Sequence, residues 1–251
     1  MAGELVGNVA LITGAGQGIG HALARGFAAA GATVVVTDVL ADNAARTAVE
    51  IEQQGGSALG LALDVSSRDE VETVVDETVR RLGRIDILIN NAGIFPRASI
   101  FELDDATWDA VLGVNLKGTF LCSQAVARAM VRQGGGGRII SLASRAAYQV
   151  AQRATHYAAS KAGIIAFSRN LAVELGPYNI TVNVIAPGLT DTAQPRYGMT
   201  EEEIAASADL VPLGRIAQPD DMVPITLFLC SPGGTYITGQ VHHVNGGSYT
   251  P

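Results

Sequence analysis

The 251-residue chain is 48% hydrophobic and 16% charged, with a formal net charge of -7. That is an ordinary globular balance with ample apolar material for a core. An excess of acid repels phosphate backbones and anionic lipid, so neither nucleic acid nor a membrane surface is an expected partner.

In chain order, short apolar runs alternate with longer amphipathic segments. Strands are predicted at Asn8–Thr13, Thr33–Asp38, Ala58–Asp64, Ile85–Asn90, Arg138–Leu142, Thr181–Ala186 and Gln240–Val244. Most are nearly continuous apolar stretches, the pattern of strands buried on both faces of a parallel sheet. Segments such as Ile19–Ala30, Asp69–Leu82 and Thr155–Leu175 carry helical patterning and are long enough to cross back over such a sheet. Gly31 and Gly83 stand where helix C-termini need them, and Gly134–Gly137 reads as a turn. With no composition break and no repeat, residues 1–251 read as one α/β domain with a doubly wound sheet.

The stretch from Gly188 to about Arg215 breaks the rhythm. It has no strand signal, and only one short helix candidate, opened by capping-box spacing between Thr200 and Glu203. A long excursion after a strand, at the edge where such sheets bind ligands, predicts a substrate lid at about 188–215.

The N-terminus, Met-Ala-Gly-Glu, places an acid where a secretory signal carries basic residues. No apolar run reaches the ~18–20 residues that span a bilayer. A soluble, cytoplasmic protein is expected, with Cys122 and Cys230 as buried core thiols and not a disulfide.

Thr13-Gly14-Ala15-Gly16-Gln17-Gly18-Ile19-Gly20 lies between the first strand and the first helix. Glycines let the backbone turn tightly and let a pyrophosphate approach the helix N-terminus, whose free N–H groups favour an anion. With strand before and helix after, the motif predicts a dinucleotide site. Asp38 closes the second strand, where a carboxylate accepts from the ribose diol and repels a 2′-phosphate. No basic residue adjoins it, and Gln17 stands in the turn, so NAD is expected over NADP. Asp64-Val65 and Asn90-Asn91-Ala92-Gly93 follow the next two strands, at the edge facing the same crevice. Each is equally well explained as a turn.

Tyr157 and Lys161 are four positions apart on one predicted helix face, and Ser144 lies just beyond the preceding strand. Alcohol oxidation removes the hydroxyl proton as hydride leaves, and ketone reduction returns it. A nearby ammonium is expected to favour phenolate for that work, an oxidised nicotinamide to add a second positive charge, and Ser144 to hold the substrate oxygen.

Taken together, the glycine turn, Asn90-Asn91-Ala92-Gly93, Ser144 and Tyr157-Ala158-Ala159-Ser160-Lys161 resemble the short-chain dehydrogenase/reductase family. Asn115 in Gly113-Val114-Asn115-Leu116-Lys117-Gly118, and Pro187-Gly188 followed by Thr190 and Thr192, extend the likeness over essentially the whole chain. The resemblance implies a seven-stranded Rossmann-like sheet and a catalytic tetrad of Asn115, Ser144, Tyr157 and Lys161. It further implies that Lys161 binds the nicotinamide ribose and that Asn115 holds a water. It places Pro187, Gly188, Thr190 and Thr192 by the nicotinamide, and suggests a homotetramer. The cofactor contacts expected are thus Gly14, Gln17, Gly18, Ile19, Gly20, Asp38, Asp64, Val65, Asn91, Ala92, Gly93, Tyr157, Lys161, Pro187, Gly188, Thr190 and Thr192.

The function expected is hydride transfer between NAD(H) and a secondary alcohol or ketone. A 3-oxoacyl-thioester reductase is the variant, and a non-catalytic dinucleotide sensor or scaffold the alternative of another class. His242 and His243 project to opposite faces of a strand, so no metal is expected. His156 is expected at a helix surface or pocket rim, and Trp108 in packing. The substrate pocket should draw on Ile94, Phe95, Arg97, Arg145, Tyr148, Val150, Arg153 and Tyr197.

Overall fold

The computed structural model describes residues 3–250; Met1, Ala2 and Pro251, included in the single-domain reading, lie outside it. Seven parallel strands form one sheet in the order β3-β2-β1-β4-β5-β6-β7. They are β1 Val9–Ile12, β2 Thr33–Asp38, β3 Ser57–Ala62, β4 Ile87–Asn90, β5 Gly137–Leu142, β6 Ile180–Pro187 and β7 Val241–Val244. The chain winds outward from β1 to β3, then returns to lay β4 on the other side of β1. Ligands of such sheets bind at the carboxyl ends where the winding reverses.

Strand type follows side-chain content. The β1, β4 and β6 runs are buried along their whole length. The two edge strands, β3 and β7, are only half-buried, and their smaller or polar residues fit that position. The third strand ends at Ala62 and the fourth begins at Ile87, so Asp64 stands beyond its strand and Ile85 before its own.

Helices cover both faces. On one side, α1 (Gly18–Ala29) and α9 (Val223–Cys230) send Leu23, Phe27, Leu227 and Leu229 onto Ile12, Val34 and Val36. On the other, α3 (Arg68–Leu82) and α5 (Gly118–Gln133) place Val71, Val75, Leu121 and Met130 against Leu11, Val35 and Leu88. Burying each such side chain contributes about 1.5–3 kcal/mol. The remaining elements are α2 (Ala41–Gln53), α4 (Asp105–Val111), α6 (Thr155–Leu175), α7 (Ala193–Arg196) and α8 (Glu201–Ala206).

The punctuation holds. Ser67 caps α3 at its start, and Gly83 takes the left-handed conformation at its end with φ 80°. Thr200 and Glu203 close a capping box on α8. Cys122 and Cys230 are buried free thiols, and burial pushes the Cys122 thiol up to about 12. Trp108 departs from expectation: α4 leaves the residue 40% exposed. No helix among the described residues is long and apolar enough to cross a membrane.

Candidate active site

The glycine turn is closed from several sides. Gly14 and Gly18 have φ values of 60° and 56°, a region L side chains rarely adopt. A Cβ on Gly14 would sit 2.9 Å from Ala92 Cα, one on Gly16 would sit 2.7 Å from Asp38 Oδ2, and one on Gly20 would overlap the Gly14 carbonyl oxygen. Gln17 is the exposed residue preceding α1, and Ile19 packs into the core beneath. A backbone cradle open to an anion at a helix N-terminus remains.

Asp38 lies at the end of β2 as expected, and buried. Its carboxylate accepts from the N–H of Gly16 at 3.1 Å and from that of Leu40 at 3.0 Å, tying the turn to the second strand. Thr13 makes the corresponding tie to β4: its Oγ1 accepts from the N–H groups of Asn91 and Ala92 at 3.0 and 3.1 Å. The Asn91 amide donates back to the carbonyls of Thr13 and Gly14, each at 2.9 Å. Asn90, by contrast, turns away: its amide donates to Ser123 and Ser141 in the interior, not toward a ribose. Asp64 accepts from both the N–H and the hydroxyl of Ser66, so one carboxylate oxygen serves its own turn. Val65 is buried against Gly118, where a Cβ would come within 2.7 Å of Val65 Cγ2.

Asn115 sits in a π-helical segment, Leu112–Lys117, between α4 and α5. Such a bulge re-aims one residue out of helical register. The Asn115 side chain is spent on protein groups: Oδ1 accepts from Ile94 N at 2.8 Å, and Nδ2 donates to Ile94 O at 3.1 Å and Ser160 Oγ at 3.0 Å. The residue therefore fastens the loop after β4. Gly93 lies alongside, where a Cβ would be 3.3 Å from Asn115 Oδ1 and 3.5 Å from Lys161 Nζ.

Ser144 precedes a short 3-10 turn at Arg145–Ala147, and its Oγ accepts from Ala146 N at 3.1 Å. Tyr157 and Lys161 share the inward face of α6, both buried. Gln194 and Ser144 lie within reach of the Tyr157 phenol, and both act to lower its pKa. Lys161 Nζ donates to the Leu142 carbonyl at 2.7 Å and lies 5.6 Å from the Tyr157 ring centre.

Burial dominates the electrostatics of the pair. It holds the Tyr157 phenol above its ordinary value, and Gln194 and Ser144 oppose it only in part. Burial likewise brings the Lys161 ammonium down to about 8. In the protein without cofactor, the burial of the phenol itself is the largest influence on its pKa. Any further stabilisation of phenolate has to come from charge brought to the site.

The segment after β6 folds down onto the crevice. Pro187 ends the strand, and Gly188 N donates to Val244 O at 2.9 Å. Thr190 is buried and its hydroxyl donates to the Gly188 carbonyl at 3.2 Å. Thr192 stands so that a Cβ on Gly18 would be 3.3 Å from its methyl group, which links this segment to the glycine turn. Immediately beyond, α7 delivers Gln194 to the phenol. Sequence reasoning missed Gln194, since a lone glutamine in a loop carries no pattern.

The remaining pocket candidates divide. Phe95 stacks on Tyr157 with ring centres 4.1 Å apart and planes 19° apart. Tyr148 faces His243 and Tyr249 instead, and Val150 is fully exposed. His156 is buried, not at a rim, with Nε2 2.8 Å from the Pro96 carbonyl. Among the described residues no three His, Cys, Asp or Glu side chains are grouped to hold a metal ion.

Known proteins share this plan. A family model described as enoyl-(acyl carrier protein) reductase matches residues 14–249. The chain is 39% identical over 244 residues to the 3-oxoacyl-[acyl-carrier-protein] reductase FabG of Thermotoga maritima, covering 97% of this chain and 98% of that one. Its fold matches a short-chain type dehydrogenase/reductase from Mycobacterium marinum with a TM-score of 0.94 at 36% identity, over 98% and 97% of the two chains. It also matches a 7α-hydroxysteroid dehydrogenase complexed with NADH and 7-oxo glycochenodeoxycholic acid, with a TM-score of 0.92 at 40% identity, over 97% and 94%. The chain belongs to the short-chain dehydrogenase/reductase family of oxidoreductases, whose members bind a nicotinamide cofactor.

Proposed function

We propose that this protein is an NAD(H)-dependent dehydrogenase or reductase acting between a secondary alcohol and a ketone, with Tyr157 as general acid/base. The observation that carries the reading is the buried Tyr157 phenol within reach of Ser144, with Lys161 on the same helix face beside Gly93.

The residues present fit a dinucleotide. The glycine cradle has no room for a single added methyl at Gly14, Gly16 or Gly20, so its backbone is held for a close approach. Gly14, Gln17, Gly18, Ile19 and Gly20 would hold the pyrophosphate, and Asp38 the adenosine ribose. Asp64, Val65, Asn91, Ala92 and Gly93 would line the adenine half, with Pro187, Gly188, Thr190 and Thr192 at the nicotinamide end and Lys161 and Tyr157 at its ribose. When bound, the nicotinamide supplies a carbon that gives or takes hydride and, in its oxidised form, a positive charge. Asp38 supports NAD over NADP because a buried carboxylate at the end of β2 repels a 2′-phosphate.

The chain's own residues do the rest. The Tyr157 phenol gives its proton to the carbonyl oxygen in reduction and takes it from the hydroxyl in oxidation. Ser144 orients that oxygen by hydrogen bond. Lys161 holds positive charge beneath the tyrosine, and Asn115 anchors the loop that carries Gly93 and Ile94. Gln194 and Phe95 shield the phenol from water and yield to substrate. The segment at about 188–215 acts as the lid.

A screen of ketones and alcohols followed at the NADH absorbance band, with wild type and Tyr157→Phe, tests the reading. Tyr157→Phe is expected to lose about 10²–10⁴-fold in kcat while NADH binding, read by fluorescence, stays intact. Turnover retained in the variant would defeat the role.

A second reading, a 3-oxoacyl-thioester reductase, is favoured by the likeness to FabG. Initial rates on a 3-oxoacyl thioester with NADH and NADPH separate the two, and a strong NADPH preference would overturn the Asp38 argument. A homotetramer is part of the proposal. A shallow apolar groove lined by Leu112, Leu116, Phe120 and Phe167 between α5 and α6 supports it, and sedimentation would test it.

A further inference from the structure

A cleft of about 680 Å³ is lined by Arg97, Arg153, Tyr197, Met199, Glu203 and Leu210. Its walls come from the loop after β4, the loop before α6 and the segment holding α7 and α8. Two of its three charged side chains are already committed. The Arg153 guanidinium pairs with Glu102 at 3.0 Å, and Glu203 accepts from Thr200 N at 2.8 Å in the capping box.

Arg97 is different. It is half-buried, and its guanidinium carbon stands 5.0 Å from the centre of the Phe95 ring. Among the described residues no carboxylate lies within ion-pairing distance of it. A cation on an aromatic face is stabilised, but the fork of N–H donors is left for a partner. The position is also built: Gly198 lies against the Arg97 stem, and a Cβ there would overlap Arg97 Cδ. Glycine at 198 thus leaves room for the arginine.

The placement relates Arg97 to the reaction. Phe95 both stacks on Tyr157, with ring centres 4.1 Å apart, and carries the Arg97 guanidinium 5.0 Å from its ring centre. A molecule whose carbonyl oxygen reaches the phenol can therefore extend past one aromatic ring to the guanidinium. Tyr197, Met199 and Leu210 offer apolar cover for whatever joins the two ends.

We infer that Arg97 binds a carboxylate at the far end of the substrate, so that the preferred substrates are keto acids and the matching hydroxy acids. This rests on the oxidoreductase reading above. One guanidinium matches one planar carboxylate bidentately. A phosphate dianion calls for a second uncommitted cation, and Arg153 is already paired.

The test compares levulinate, para-acetylbenzoate and para-acetylphenylacetate with their methyl esters, in wild type, Arg97→Gln and Arg97→Lys. Arg97→Gln is expected to lose about 10- to 100-fold in kcat/KM on the acids, from a charge-assisted hydrogen bond, and little on the esters. Arg97→Lys should recover part of that loss. Equal losses on acid and ester would mean that Arg97 only supports the loop, and no loss on the acids would also overturn the inference. para-Acetylphenyl phosphate outperforming para-acetylbenzoate would overturn the choice of carboxylate. Calorimetric titration with the same acids reads binding without turnover. Arg97-dependent binding with no turnover on any ketone would leave the anion site standing and sink the reaction. Ketone turnover without Arg97-dependent binding of the acids would do the reverse.

Discussion

The crevice at the carboxyl ends of β1, β2 and β4 and the segment over residues 188–215 face the same space but are held by opposite means. The crevice is a lattice of backbone. Thr13, Asn91 and Asp38 tie strand ends together through buried or half-buried hydrogen bonds, and its glycines leave no room for a methyl group. The segment above buries Thr190, Ile204 and Val211 but adds exposed or part-exposed ion pairs: Arg196 reaches Asp191 and Glu201, and Arg215 reaches Asp221. In one region the backbone positions of the glycines are closely constrained, whereas the exposed ion pairs of the other can change at little cost. A shared chemistry with interchangeable substrates needs that division.

The largest expected effect tests how far the rigid side stores unfavourable energy. Burial lowers Lys161 from 10.5 to about 8, so between those values the unfolded chain binds the extra proton and the folded one does not. Stability should therefore rise with pH across about 8 to 10, by up to about 3 kcal/mol for this one group, and its cost is full below pH 8. Tyr157 shifts the other way, but its contribution is lost only above about pH 10, the ordinary phenol value. The buried thiols also lose stability as pH rises, so the comparison must be with Lys161→Met, in which they are unchanged. The difference in unfolding free energy, wild type minus variant, should climb with pH; a flat difference would show that Lys161 carries no such penalty.

The next effect sharpens the same contrast at the cofactor end. Asp38→Ser removes the carboxylate that would repel a 2′-phosphate, and with it the acceptor for Gly16 N and Leu40 N. The ratio of kcat/KM for NADPH over NADH should rise about 10- to 100-fold, chiefly through loss of NADH efficiency, as expected for one buried polar contact. An unchanged ratio would remove Asp38 from cofactor choice.

These two regions were not equally legible in the sequence. The glycine turn, Asp38 and the Tyr157–Lys161 pair were readable because backbone constraint and helical spacing tie residue type to position. Even the cap at Thr200 and Glu203 was readable, since its chemistry is local. Asn90 was misread because alternation along a strand, not closeness to the crevice, sets its direction, and it points into the interior. Gln194 was invisible because its partner is 37 positions away and α7, four residues long, carries no periodicity. The burial that raises the Tyr157 pKa was not legible for a related reason: it depends on elements distant in sequence, and no spacing rule gives it.

The smallest effect belongs to the exposed side and is the cleanest way to break the comparison. Arg196 donates to Asp191 at 2.8 Å, to the Thr192 carbonyl at 2.6 Å and to Glu201 at 2.7 Å, so it staples α7 to the loops on both sides. It holds the Asp191 carboxyl below the usual range through those hydrogen bonds. Ion pairs this exposed contribute little to global stability and are screened by salt. Arg196→Gln should therefore leave the Tm almost unchanged while raising KM about two- to fivefold, because Gln194 and Thr192 lose their fixed placement over the crevice. Raising ionic strength should narrow the difference in KM between wild type and variant. A large fall in Tm would mean that the segment is part of the folding core, and the distinction between the two regions would collapse.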